Sequence, residues 1–197
     1  MNNQFFSILS RMKYITRWSL MRNSVQENIS EHSLEVAFFA HALAIIAKKR
    51  FNKEVQPEKV AVVAMFHDTS EILTGDLPTP VKYYNEKLKT AYKELEKDAE
   101  EKLLSFLPED LREEYSKIYD KNYITEYEQK LVKAGDKLSA LVKCIEEEQM
   151  GNKDFLRAKE TTLNSIIEMK LVEVDCFLEE FIPAFGMTLD QNMNEVK

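Results

Sequence analysis

The sequence predicts an all-α fold, on three observations. Among 197 residues only 4 are glycine and 5 proline, whereas average usage of about 12% would supply roughly 24. Capping pairs stand ahead of the longer segments. Apolar residues recur at spacings of three and four, the period of a helix with one buried face. With a hydrophobic fraction of 44%, a chain of this length builds one domain with a full core, without disulfides or a structural metal.

Residues 1–27 read as an N-terminal helix and loop. Phe5, Ile8, Leu9, Met12 and Ile15 mark an apolar stripe, and Arg11, Lys13, Arg17 and Arg22 carry charge without an acid among residues 1–26. A targeting or membrane-surface helix can look like this. Without an uninterrupted apolar stretch or a small-residue cleavage site, the better reading is a docked helix followed by a positively charged loop.

The core is expected over about 28–183. Asn28 with Glu31 resembles a capping pair for a helix through about Lys49, with Leu34, Phe38, His41 and Ile45 along one stripe. His41 reads there as a satisfied core residue. Pro57 suits the first turn of the next helix, which is apolar nearly all round and therefore central. Residues 74–80, with two prolines and a glycine, predict a stiff loop. Residues 82–106 predict an amphipathic helix with Leu88, Tyr92, Leu95, Ala99 and Leu103 facing inward and its charges solvated. Pro108 starts a short helix ending near Tyr119. Thr125 and Glu128 cap a long helix to about Met150. The turn at Gly151-Asn152 precedes a last helix to about Phe181, and residues 186–197 read as a loosely held tail.

Net charge is −7, which argues against binding polymeric nucleic acid. No run approaches the 18 or more apolar residues of a membrane span. Cys144 and Cys176 are unclustered, as buried thiols in a reducing compartment would be.

Chemistry points to the pair His67-Asp68, which ends the apolar run of residues 60–66. A carboxylate in such a setting is costly unless it is paired or bound to a metal. His32 stands 35 residues upstream. Two histidines and an aspartate brought together from two helices supply three ligands of a divalent metal, and Asp136 is the candidate for a fourth. Asp136 is ambiguous alone, because Lys133 at i−3 can pair with it. Gly135 before it favours function, since glycine within a helix permits close approach. Glu71 lies one turn beyond the pair, where a continuing helix would keep it beside the metal as a general acid or base.

These residues follow the H…HD…D order of the HD-domain metal phosphohydrolases. The longer strings are more specific. Arg17-Trp18, Glu31-His32-Ser33-Leu34, His67-Asp68-Thr69-Ser70-Glu71 and the segment Thr74-Gly75-Asp76-Leu77-Pro78-Thr79-Pro80-Val81-Lys82-Tyr83 resemble the bacterial HD-domain 5′-deoxynucleotidases of the YfbR type. The resemblance runs from the N-terminal helix to the region of Leu189. It implies a single HD-domain helical bundle and a dimeric cytoplasmic enzyme that hydrolyses 2′-deoxyribonucleoside 5′-monophosphates with tolerance of the base. By motif match, His32, His67, Asp68 and Asp136 would hold the metal and Arg17 would orient the phosphate. Asp68 and Asp136 would also face substrate, Trp18 with Asp76, Leu77, Pro78 and Thr79 would line the nucleoside pocket, and Glu71 would be the key carboxylate.

The ligand set suits one divalent transition metal (Mn, Co, Fe or Zn) better than Ca or Mg. Arg17 would grip phosphate through its fork. Asp76 rivals Glu71 as proton donor. Two other readings compete: another HD-domain phosphohydrolase, such as a phosphodiesterase or dinucleotide hydrolase, and a non-catalytic nucleotide-binding regulatory module. Binuclear phosphodiesterases need more histidines than the spare His41, and a regulatory module need not keep every ligand together with Glu71.

Overall fold

The computed structural model describes residues 3–82 and 84–194. Tyr83, which ends the longest motif string, and 195–197 of the tail lie outside the described residues. In chain order the helices are α1 (Phe5–Leu9), α2 (Ile29–Arg50), α3 (Pro57–Phe66), α4 (Glu71–Thr74), α5 (Thr79–Lys82), α6 (Glu86–Ser105), α7 (Glu109–Tyr119), α8 (Glu126–Gln149), α9 (Leu156–Ile167), α10 (Val172–Glu180) and α11 (Leu189–Asn194). Single 3-10 segments occupy Ser10–Tyr14, Lys153–Phe155 and Ile182–Gly186. Among the described residues there is no strand, and one antiparallel bridge joins Thr16 to Asn28. The all-α prediction holds.

Local chemistry starts the helices where the caps predict. Asn28 Oδ1 accepts from the backbone N–H groups of Ser30 and Glu31, and the Glu31 carboxylate accepts from Asn28 N. Thr125 and Glu128 form the same reciprocal box. The Glu128 carboxylate also accepts from Gln56 N at 2.6 Å, tying the start of α3 to the start of α8. Pro57 opens α3.

Helix α2 packs against α3 and α8, and their shared faces make the main core around Ala40, Leu43, Val60, Ala64, Leu131 and Leu138. Each large aliphatic side chain buried there stabilises by about 1.5–3 kcal/mol relative to exposure. A Cβ on Gly135 would lie 2.9 Å from Ala40 N and 3.0 Å from Val36 O. Only glycine lets α8 approach the α2 backbone so closely, and Asp136 is the next residue. A smaller core of Phe5, Leu103 and Leu107, with Phe66, Ile72 and Tyr115, holds the N-terminal helix against α6 and α7.

Four details differ from the sequence expectation. Leu34, Phe38 and Ile45 are exposed and His41 is half-buried, while Val36, Ala37, Ala40, Leu43, Ala44 and Ala47 face inward. Helix α2 is apolar on both sides, and the close approach of α3 and α8 selects its small-residue face. By length and composition alone α2 could cross a membrane, and 56% of that stretch is buried against its neighbours. In α6, Leu95 points outward, and the helix begins at Glu86, because Asn85 Oδ1 caps Leu88 N at 2.8 Å. The stiff segment is shortened by α5, where Val81 N and Lys82 N bond to Pro78 O. The expected last helix is two, α9 and α10, broken where Lys170 takes φ +52°. No glycine or proline marks that break in the sequence.

Candidate active site

Helix α3 stops at Phe66, and residues 67–70 turn before α4 begins at Glu71. The turn faces His32, in the first turn of α2, and Asp136, on α8. His67 Nε2 lies 3.1 Å from Asp68 Oδ2. His32 Nε2 lies 3.5 Å from the same oxygen and 3.4 Å from Asp136 Oδ1. Ligand atoms of His32, His67 and Asp68 fall within 4.8 Å of one another. Asp136 joins through His32, while its other oxygen meets Lys133 Nζ at 2.5 Å, the i−3 pairing anticipated above.

The imidazoles are held from behind. His67 Nδ1 donates to Ala64 O at 2.7 Å, and His32 Nδ1 meets Ser139 Oγ at 2.9 Å. Both Nε2 atoms are buried without a hydrogen-bond partner. Buried ring nitrogens of this kind, aimed between two carboxylates, fit a divalent metal.

Charge is concentrated here. Burial opposes the Asp68 carboxylate, but His67 and then His32 hold it well below the usual carboxylate range. Asp136 is likewise held low against its burial, through His32, Lys133 and His67. Burial lowers the His32 imidazole. At His67 the neighbouring Asp68 outweighs burial and raises it. Glu71 moves the other way: burial, with the negative charges of Asp68 and Asp76, pushes its carboxyl up to about 9. Its Oε2 is buried and unbonded. Asp76 is also raised, by burial first.

A cleft of about 330 Å³ opens over this cluster, lined by Arg17, His67, Asp68, Glu71, Asp76, Leu77, Thr79, Lys82, Gln129, Val132, Lys133 and Asp136. Trp18 and Pro78 are absent from the lining. The Arg17 guanidinium carbon lies 5.7 Å from the centroid of the Trp18 ring, which in turn stands 5.3 Å from Phe155, and Trp18 takes φ +59°.

The loop bearing Arg17 is closed at both ends. Arg17 N donates to Glu27 O, and Ile29 N to Ile15 O. The buried Glu147 carboxylate accepts from Ser24 N, Val25 N, Asn152 Nδ2 and Lys143 Nζ. Arg22 forks onto Asp154 at 2.8 and 2.9 Å.

Sequence reasoning missed several of these participants. Glu27 ends the acid-free segment and meets Arg17, which the segment's composition left without a local partner. Lys82 carries no signal in the sequence beyond its place in the motif string, and Gln129 carries none. Ser139, and Glu35, which accepts from the Ser139 hydroxyl at 2.6 Å, belong to helix faces that become neighbours only after α2 and α8 pack.

Comparison with known proteins agrees with this arrangement. Residues 4–185 match the family described as 5′-deoxynucleotidase YfbR-like. A 5′-deoxynucleotidase of Cronobacter sakazakii is 47% identical over 189 residues, covering 96% of this chain and 95% of that one. One from Erwinia tasmaniensis is 47% identical over 194 residues, 98% of each chain. Among solved structures, an HD-domain phosphohydrolase from Listeria innocua superposes with a TM-score of 0.80 at 26% identity, over 92% of this chain and 88% of that one. On these matches, and on the cluster that unites His32 with His67-Asp68, the chain belongs to the YfbR-like 5′-deoxynucleotidase family.

Proposed function

We propose that the chain is a metal-dependent 5′-deoxynucleotidase acting on 2′-deoxyribonucleoside 5′-monophosphates of any base. The observation that carries this reading is the pair of buried, unpartnered Nε2 atoms of His32 and His67 facing Asp68 and Asp136, beneath a cleft that also holds Arg17 and Glu71. His32, His67, Asp68 and Asp136 would hold one divalent transition metal (Mn, Co, Fe or Zn). When bound, such an ion supplies Lewis acidity to phosphate and to water.

The chain's own residues do the rest. Arg17 offers guanidinium N–H donors to the phosphate oxygens. Glu71, whose carboxyl is raised by burial and its acidic neighbours, would donate its proton to the 5′ oxygen as the P–O bond breaks, while the water oxygen bonds to phosphorus and a proton of that water passes to the Glu71 carboxylate and restores it. Asp76 is the alternative donor, and its carboxyl is raised as well. Asp76, Leu77 and Thr79 bound the cleft where the nucleoside would lie, with Pro78 shaping the turn and Trp18 backing Arg17.

The same reading makes the protein a cytoplasmic homodimer. Supporting it are the free thiols of Cys144 and Cys176 and the outward apolar stripe of Leu34, Phe38 and Ile45, which suits a second copy. Phe38→Glu should then shift the protein toward monomer in sedimentation velocity.

Phosphate release from dAMP, AMP and dATP, each with Mn²⁺ or Co²⁺, tests the function. Rapid turnover of dAMP with little of the other two is expected. Comparable kcat/KM for AMP removes the deoxynucleotide preference, and turnover of dATP alone makes the chain another kind of phosphohydrolase. Absence of turnover on every nucleotide leaves a binding module.

A further inference from the structure

We infer that Ser139 and Glu35 form a hydrogen-bond relay that fixes the tautomer and orientation of His32, making both positioning residues for the metal centre. The inference rests on the metal-centre reading above.

Ser139 stands on α8 three residues beyond Asp136, and Glu35 on α2 three residues beyond His32. Each helix thus contributes one member of the cluster and one member of the relay. Ser139 is fully buried and His32 nearly so. Ser139 Oγ lies 2.9 Å from His32 Nδ1 and donates to Glu35 Oε2 at 2.6 Å.

The serine hydroxyl has one proton. Donating it to Glu35 leaves the oxygen to accept from His32, so the imidazole proton sits on Nδ1 and the Nε2 lone pair is free. That Nε2 is the buried, unpartnered atom 3.4 Å from Asp136 and 3.5 Å from Asp68. With the opposite proton order, serine would donate to Nδ1, and Nε2 would carry a hydrogen where a ligand lone pair is needed. An ionised Glu35 can only accept, which selects the first arrangement; burial raises its carboxyl to about 7, so the selection operates above that pH and the measurements below are made at pH 8.5. His67 achieves the same end through a backbone oxygen, Ala64 O at 2.7 Å, which no side-chain substitution removes. His32 is therefore the imidazole whose ligand state depends on side chains remote from the cleft, since neither Ser139 nor Glu35 lines it.

Two measurements test the relay. In a long-range ¹H–¹⁵N spectrum of the metal-free parent, His32 should be the Nδ1–H tautomer, and in Ser139→Ala and Glu35→Leu it should shift toward Nε2–H or a mixture. An Nε2–H His32 in the parent overturns the relay without involving any metal. In chelator competition with Co²⁺, Ser139→Ala and Glu35→Leu should each bind about 10–100-fold more weakly, the usual loss on removing such support. Glu35→Gln, which keeps an acceptor for the serine hydroxyl, should stay within about threefold of the parent by the same measure. Parent-like Co²⁺ affinity in folded Ser139→Ala or Glu35→Leu overturns the inference, as does a Glu35→Gln loss as large as that of Glu35→Leu. If Ser139→Ala does not fold, the Glu35 pair and the parent tautomer still decide. Failure of the parent itself to bind Co²⁺ overturns the metal reading instead, and the relay as metal support falls with it.

Discussion

Nη1 of Arg17 lies 2.7 Å from Oε2 of Glu27, across a loop that returns on itself through ten residues. The same oxygen accepts the indole N–H of Trp18 at 2.9 Å. A guanidinium has five N–H donors in a fixed fork. Glu27 takes Nη1 and thereby sets the plane in which the others are offered to the cleft.

Arg17→Ala should therefore lower kcat/KM for dAMP by about 10–100-fold, the equivalent of about 1.5–3 kcal/mol for a hydrogen bond to a charged group. The fold should persist, because Glu147, Asp154 and the Thr16–Asn28 bridge hold the loop independently. Glu27→Gln keeps an acceptor for both donors and should cost less. Steady-state kinetics beside a circular dichroism melt checks this. Unchanged kcat/KM in folded Arg17→Ala removes the phosphate role.

Glu71→Gln preserves shape while removing the titrating group. The expected loss is about 10²–10⁴-fold, mainly in kcat, with metal content unchanged by elemental analysis. Loss of metal would make Glu71 a ligand or a ligand support. Near-normal turnover would move the proton transfer to Asp76.

The raised Glu71 carboxyl also makes a prediction about stability. Its ordinary value is 4.5 and its folded value about 9, so between these the native state keeps a proton that the unfolded chain releases. Stability from this group is present below about pH 4.5 and is lost as pH rises through about 9. In metal-free protein, Glu71→Gln should be more stable than the parent at pH 8, and the gap should close near pH 4. Urea unfolding at several pH values measures it. A gap that widens toward low pH contradicts the assignment.

Gly135→Ala should destabilise the fold and disturb the site together. The new methyl meets Ala40 N and Val36 O, backbone atoms that cannot turn aside. Overpacking of this kind costs about 1–3 kcal/mol, offset by up to about 1 kcal/mol of helix propensity. Displacing α8 from α2 should also weaken Co²⁺ binding, because Asp136 moves with it. A variant as stable and as metal-competent as the parent would show that the close crossing is unimportant.

What the sequence revealed depended on how local the physics is. Asn28 with Glu31, Thr125 with Glu128, and Pro57 act within one helical turn, so spacing alone located the helix starts. His67-Asp68 stood out because adjacent polar groups end an apolar run, and Gly135 because it interrupts a helical pattern. Meetings of Glu27 with Arg17, or of Ser139 with His32 and Glu35, depend on how distant segments cross, and no local period encodes them. The inward face of α2 is hidden from the sequence for a related reason. Both of its faces are apolar, and the choice falls to the small residues Ala37, Ala40 and Ala44, which allow close packing.

Metal content and dAMP hydrolysis, measured on the same samples as Co²⁺ or Mn²⁺ is titrated into chelator-stripped protein, test the central claim most directly. The expected result is no phosphate release at zero metal and activity rising in proportion to bound metal, up to one ion per chain, with His67→Ala taking up neither ion nor activity. Full turnover in stripped protein, with metal absent by elemental analysis, would contradict the account.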